Sequence, residues 1–258
     1  MTLNLFLSSF IWLITQFLLP VAAGEDPKRK QSVTLIPFDT EFYISDADNE
    51  IALKSDLKTE QLKIMFREEL DVAIANALTQ YQPARNLLLD SLGYDARMDI
   101  DSLHSIMNYQ MSNTSSHSKK GFAMSNVLMK LKGRDNKNVE EISEIKAPSS
   151  SDQYMNITFK KPDIFNYLTD KYSSDRFVFI NQFEISTRYK TCLDLANRDY
   201  EREFTVHYSV YNASGEQVSG DIVTCIYHSN SSDFKGMVEK NFARLANHIA
   251  KSVYNSSQ

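Results

Sequence analysis

The chain has 258 residues, 42% apolar and 24% charged, with 33 acidic against 28 basic side chains and a net charge of −5. That balance excludes a disordered chain and argues against general nucleic-acid binding, which calls for a basic face. With only 7 glycines, phosphate-cradling loops and collagen-like repeats are poor candidates.

From Leu3 to Ala22 no side chain is charged, and Leu, Phe, Ile and Val dominate the run. Ser8, Ser9, Thr15 and Gln16 interrupt it, and Pro20 breaks it just before the small residues Val21-Ala22-Ala23-Gly24. This pattern predicts a signal peptide over residues 1–23, cut after Ala23, with Gly24 as the second choice. The alternative is an uncleaved anchor, with Lys28, Arg29 and Lys30 held on the cytoplasmic side. No cysteine follows the leader, so a bacterial lipid anchor is not expected. The protein is therefore expected to be exported: to the periplasm or cell envelope of a Gram-negative bacterium, otherwise secreted, with no stable membrane span after signal cleavage. Residues 24–258 read as one α/β domain with a polar insertion at about 111–151.

Val33 to Phe38 (VTLIPF) predicts a first strand, apolar on both faces and closed by Pro37 and Asp39. Thr59 reads as a helix cap, and Leu62, Met65, Phe66, Leu70, Ile74, Ala77 and Leu78 follow at spacings of three and four. They predict a long amphipathic helix, ended by Tyr81-Gln82-Pro83. Leu87 to Leu92 is a short apolar run, and a further helical turn or two is expected from Ser102 through Met107. Ser, Asn and Lys crowd the insertion.

Tyr154 to Phe159 suits a strand, and Pro162 opens a helix through Phe165, Leu168 and Tyr172. RFVFINQFEI, residues 176–185, is the strongest strand pattern. Alternation places Phe177, Phe179, Asn181, Phe183 and Ile185 on one face and Val178 and Ile180 on the other. Residues 203–211 and 217–227 alternate likewise and form a hairpin about Asn212-Ala-Ser-Gly215-Glu. A second amphipathic helix runs from Phe234 to Val253. The expected fold is α/β (α+β mixed): a mixed β-sheet of about five strands with an antiparallel C-terminal meander, covered by two long amphipathic helices.

This order of elements resembles an envelope family that includes the TolB amino-terminal domain, CsgG and the lipoprotein activators of penicillin-binding proteins. VTLIPF stands where that family carries a first strand ending in a proline–phenylalanine pair. Residues 59–80 match its first helix. IFNYLTDKYSSDRFVFINQFEI matches a helix, a polar turn and a strand entered after an aspartate, here Asp175. FTVHYSVYNASGEQVSGDIV matches its hairpin. The likeness spans most of residues 33–253 apart from the insertion. The family's lipid-anchoring cysteine is missing, and Asn181 replaces its usual strand glycine. The resemblance implies an assembly or adaptor role.

Cys192 and Cys225 are the two cysteines. In an oxidising compartment they are expected to form one disulfide, since the hairpin puts Cys225 beside Phe204, where the preceding strand runs out towards Cys192. Such a bridge contributes roughly 3–4 kcal/mol through loop entropy. No metal-ligand spacing unites His104, His117, His207, His228 and His248, and no catalytic motif surrounds a serine, so no cofactor, metal or catalytic residue is assigned. His207 lies mid-strand and His228 just past the next strand, so they could approach each other, but they are read as polar positions on a solvent-facing sheet. Asp46-x-Asp48-Asn-Glu50 is read as a solvated acidic turn, and Asp99-x-Asp101 as a helix cap. Asn113, Asn156, Asn212, Asn230 and Asn255 open N-x-Ser/Thr triplets. Glu184, His207, Tyr211 and Tyr227 are the candidate partner surface.

The function these readings favour is a non-catalytic binding or assembly module for an envelope protein or cell-wall component. The alternative is an exported hydrolase whose carboxylates converge only in the fold. A lesser third is a carrier holding a small ligand between helices and sheet.

Overall fold

The computed structural model describes residues 32–90, 94–114, 144–146, 153–194, 199–229 and 233–256. The leader and most of the polar insertion lie outside the described residues, as do the side chains of residues 192–194 and 199.

The fold is mixed α/β. Strand β1 (Val33–Ile36) is buried along its whole length. Beyond a 3₁₀ turn at Thr40–Phe42 comes β2 (Tyr43–Ser45) and helix α1 (Asp48–Ser55). Helix α2 (Thr59–Thr79) follows, then β3 (Ala84–Asn86), the short α3 (Leu87–Asp90) and α4 (Tyr94–Ile106). Strands β4 (Met107–Asn113), β5 (Glu144–Lys146) and β6 (Gln153–Phe159) precede α5 (Ile164–Tyr172). The chain ends in β7 (Arg176–Asp194), β8 (Asp199–Asn212), β9 (Gln217–His228) and α6 (Phe234–Asn255).

Among the described residues, seven strands make one sheet in the order β3-β1-β7-β8-β9-β5, with β2 also on β7. β3, β1 and β7 are parallel, and β7, β8 and β9 form the antiparallel meander. β4 and β6 make a separate antiparallel ribbon.

Each sheet face has its own core. On one, α2 and α6 bury Leu62, Phe66, Leu70, Ile74, Phe242, Leu245 and Ile249 against Val33, Leu35, Val178 and Val206. Phe66 sits amid Phe183, Phe204, Phe234 and Phe242, with ring centroids 4.8–6.0 Å away. Burying one such ring is worth about 1.5–3 kcal/mol. On the other face α4, α5 and the ribbon enclose Ile36, Leu87, Ile100, Phe165, Phe177, Phe179 and Tyr211.

Several local expectations change. Lys58, not Thr59, is the N-cap of α2: its backbone is extended, and its N–H donates to Oε1 of Gln61, 3.2 Å away. α4 begins at Tyr94, so Asp99 and Asp101 lie inside it rather than capping it. Met107 begins a strand, and β6 pairs with β4 instead of joining the main sheet.

The largest change is in β7. A register shift between Ile180 and Gln182 marks a bulge at Asn181. A bulge inserts one residue and reverses the alternation beyond it. Phe177 and Phe179 accordingly face α5, while Phe183 and Ile185 join Val178 and Ile180 under α2 and α6. The hairpin forms as its turn residues dictate: Gly215 takes φ +80°, and a Cβ there would stand 2.8 Å from the Phe165 ring.

Candidate functional site

β1 and β3 are adjacent and parallel, but the chain leaves them towards opposite faces. After β1 it runs to α2 on one face, and after β3 to α3 and α4 on the other. The crevice outside the carboxyl ends of two such strands is a topological switch point, where open α/β sheets place their ligands.

A cleft of about 790 Å³ occupies that position. The loop after β1 supplies Asp39, Thr40 and Glu41; α2 supplies Arg67 and Glu68; α3 adds Leu88 and α4 adds Arg97, Ile100, Asp101, His104 and Ser105. Asp39 is positioned by the 3₁₀ turn it caps, accepting the Glu41 N–H on Oδ1 at 3.0 Å. Arg67 and Glu68 stand on the edge of α2 next to its apolar stripe, and His104 follows Leu103, which anchors α4 to the core.

The electrostatics are mixed. Burial pulls the Arg67 guanidinium below its ordinary range, while Asp71, Asp39, Asp101 and Glu68 hold it charged. Its Nε is buried and has no hydrogen-bond partner among the described residues. Burial likewise lowers the proton affinity of His104, with Pro37 and Asp39 acting against it. Behind Arg67, Asp71 is 2% exposed, and burial raises its pKa to about 8 despite Arg67 and Asn86 nearby.

The residues expected to form a partner surface lie elsewhere. Tyr211 and Tyr227 are 5% and 3% exposed and belong to opposite faces of the sheet. Tyr227 stacks on Phe204 at 4.4 Å, while the Tyr211 hydroxyl donates to the Ile157 carbonyl of β6. His207 is 4% exposed rather than solvent-facing, and its Nδ1 accepts the Met155 N–H at 2.8 Å. The ring proton therefore sits on Nε2, 3.2 Å from Glu184 Oε1. His207 holds the Glu184 carboxyl below its usual range against the opposing effect of burial. Asn181 Nδ2 reaches the Met155 carbonyl (2.8 Å) and Ser209 Oγ (2.7 Å). Of the residues read as a partner surface, His207 and Tyr211 thus hold the chain's own β6. Alternation alone puts His207 and Tyr211 on one face, but not what covers that face.

Of the expected Cys192–Cys225 bridge, the Cys192 side chain lies outside the described residues, and Cys225 is a buried free thiol. Backbone register sets Cys192 opposite Tyr200 and Cys225 opposite Phe204, with β8 between them. At about 4.8 Å per strand and 3.3 Å per residue, the Cα atoms are roughly 15 Å apart, beyond the ~7 Å a bridge tolerates. Burial pushes the Cys225 thiol up to about 12.

Other singled-out groups are structural. His228 lies opposite Glu201 and His207 opposite Ile222, so the two histidines do not meet. Asp46 accepts from Thr187 N–H (2.9 Å) and hydroxyl (2.8 Å), Asp48 from Tyr43 (2.6 Å), and Glu50 pairs with Arg202 and Lys54. Asp99 takes Lys171 at 2.6 Å and the hydroxyls of Tyr172 and Tyr167. Asn156 is 5% exposed and bonded to Ser209, which bars it as a glycan acceptor in the folded chain. Among the described residues no group of three or more His, Cys, Asp or Glu is placed to hold a metal ion, and no helix is long and apolar enough to cross a membrane.

No protein-family model matches this chain, and no curated protein does. Among solved structures, one titled "Structure of the Evf virulence factor" aligns over 86% of this chain and 79% of its own, at 9% identity and a TM-score of 0.17. A likeness that weak carries no argument.

Proposed function

We propose that the protein is an exported, non-catalytic binding module of the cell envelope, and that it engages a protein or cell-wall partner through the cleft between α2 and α4. One observation carries the reading: the concave, charged site stands at the switch point of β1 and β3, while helices and ribbon close both sheet faces. Export rests on the leader pattern of residues 1–23. The envelope setting rests on the resemblance to the TolB, CsgG and penicillin-binding-protein-activator family. Binding is favoured over catalysis by His104, whose ring faces Pro37 O and Asp39, while the neighbouring Ser105 hydroxyl donates to the Ser102 carbonyl at 2.7 Å. No base–nucleophile pair is assembled by those contacts.

The test is photo-crosslinking in intact cells from Glu41 and Ser105, both exposed at the cleft rim, with exposed Lys235 on α6 as the control position. A recurring envelope protein or wall fragment attached at the rim and not at Lys235 is expected. No adduct at the rim, or the same adducts at Lys235, would overturn the reading. A second reading, a hydrolase, is favoured by Asp39, Glu41, Glu68 and Asp101 lining one cleft. Turnover of a wall or peptide substrate that disappears in Asp39→Asn and Asp101→Asn variants would replace the binding module with that enzyme.

A further inference from the structure

Building on the reading of the cleft as a binding site, we propose that its ligand carries both a primary ammonium and a carboxylate, the chemistry of an amino acid or peptide. The ammonium is taken by Asp39 and His104 and the carboxylate by Arg67.

The His104 side chain is only 9% exposed and lines the cleft. Its Nε2 lies 3.0 Å from the Pro37 carbonyl. A carbonyl only accepts, so the ring proton belongs to Nε2 and Nδ1 presents a lone pair. That lone pair faces Oδ2 of Asp39 at 3.6 Å, and Oδ1 of the same carboxylate is already used by Glu41 N–H. Two acceptors side by side repel each other. An ammonium, with three donors and no acceptor, satisfies both at once.

Ring protonation would satisfy them too, but burial disfavours it and Arg67 on α2 adds to that effect, against the Pro37 carbonyl, Asp39 and Asp101. Glu41, Glu68 and Arg97 complete the charged groups of the cleft. On the α2 wall the Arg67 guanidinium lines the cleft, while its Nε is closed off from solvent. A guanidinium lining a cleft is matched to a carboxylate by its charge and its N–H donors. A simple anion would meet the acidic side chains, and a simple cation would meet Arg67. A molecule bearing both charges answers both walls.

The experiment is calorimetry on the mature full-length chain with alanylalanine, its N-acetyl form and its C-terminal amide. The free dipeptide is expected to bind, and each blocked form to lose about tenfold in affinity, the loss of one charge-assisted hydrogen bond. Asp39→Asn should erase the difference between free and acetylated amine, and Arg67→Gln that between acid and amide. Thermal melting confirms that each variant is folded. Affinity for the dipeptide should fall as pH drops through the His104 titration, below its ordinary value of 6.5, because the imidazolium then takes the ammonium's place. Comparing free alanine with pentaalanine separates a single amino acid from a peptide chain as the source. Equal affinity for blocked and free forms overturns the proposal. So does no dipeptide binding at about 10 mM while rim crosslinks persist, a result that leaves the binding reading standing. Loss of rim crosslinks as well removes both.

Discussion

At the residue scale, Asp71 is an ionisable group that burial displaces strongly. Its carboxyl, ordinarily titrating at 3.8, is raised to about 8 by burial in α2. Between those values the unfolded chain gives up its proton while the folded chain keeps it. Stability therefore falls as pH rises from about 4 to about 8, then levels off. Asp71→Asn removes that slope and should stabilise the protein by roughly 1–3 kcal/mol at pH 8, with little gain near pH 4. Urea melts of both proteins across that range measure it, and a parallel pair of curves would show Asp71 ionised throughout. Cys225 makes a complementary case. With its thiol buried and its pKa pushed up to about 12, it should resist alkylation in the native protein and react on unfolding.

At the element scale, the bulge at Asn181 decides how β7 is used. Without it, four large apolar residues would crowd one face and leave the other core short of Phe177 and Phe179. Asn181 also ties the sheet to β6 through Met155 and Ser209. Asn181→Ala strips the part-buried Met155 carbonyl and the buried Ser209 hydroxyl of that partner, at an expected cost of about 1–3 kcal/mol. Denaturant unfolding checks it, and hydrogen exchange should speed up first in β4 and β6. Loss confined to β8 and β9 would contradict the ribbon's dependence on Asn181. The helices were more legible: α2 and α6 declare themselves by spacing, and Asp233 caps α6 by accepting the Gly236 N–H at 3.0 Å. α4 was half hidden, because Asp99 and Asp101 look like cap residues until α5 brings Lys171, Tyr167 and Tyr172 to Asp99. Burial opposes that carboxyl's charge, but these three bonds outweigh it and hold the group below its usual range.

At the scale of the whole molecule, both sheet faces are closed and the one recognition site proposed lies at the edge where β1 and β3 diverge. α6 closes the larger core: Phe242, Leu245, Ile249 and Val253 are each 0–1% exposed. Four such side chains contribute about 6–12 kcal/mol together, comparable to the roughly 5–15 kcal/mol that holds a domain folded. A chain ending at Asp233 should therefore fail to fold, with near-ultraviolet circular dichroism lost. A cooperative native-like melt from that truncation would mean that α2 alone can cover the sheet.

The amino-acid sequence by itself determined the mixed α/β class, the two long helices, the hairpin about Gly215 and the pairing of Phe204 with Cys225. These follow from periodicity and turn chemistry, which act over a few residues. Only the tertiary structure decided the rest. A one-residue bulge inverted half of β7, because alternation carries no mark of an inserted residue. β6 left the main sheet to cover His207 and Tyr211, because polar and aromatic side chains look the same in sequence whether they await a partner or already hold one. The cleft drew Asp39, Arg67 and His104 from three elements. Their convergence depends on which face each connection takes, a choice made by packing the two cores and written in no local motif.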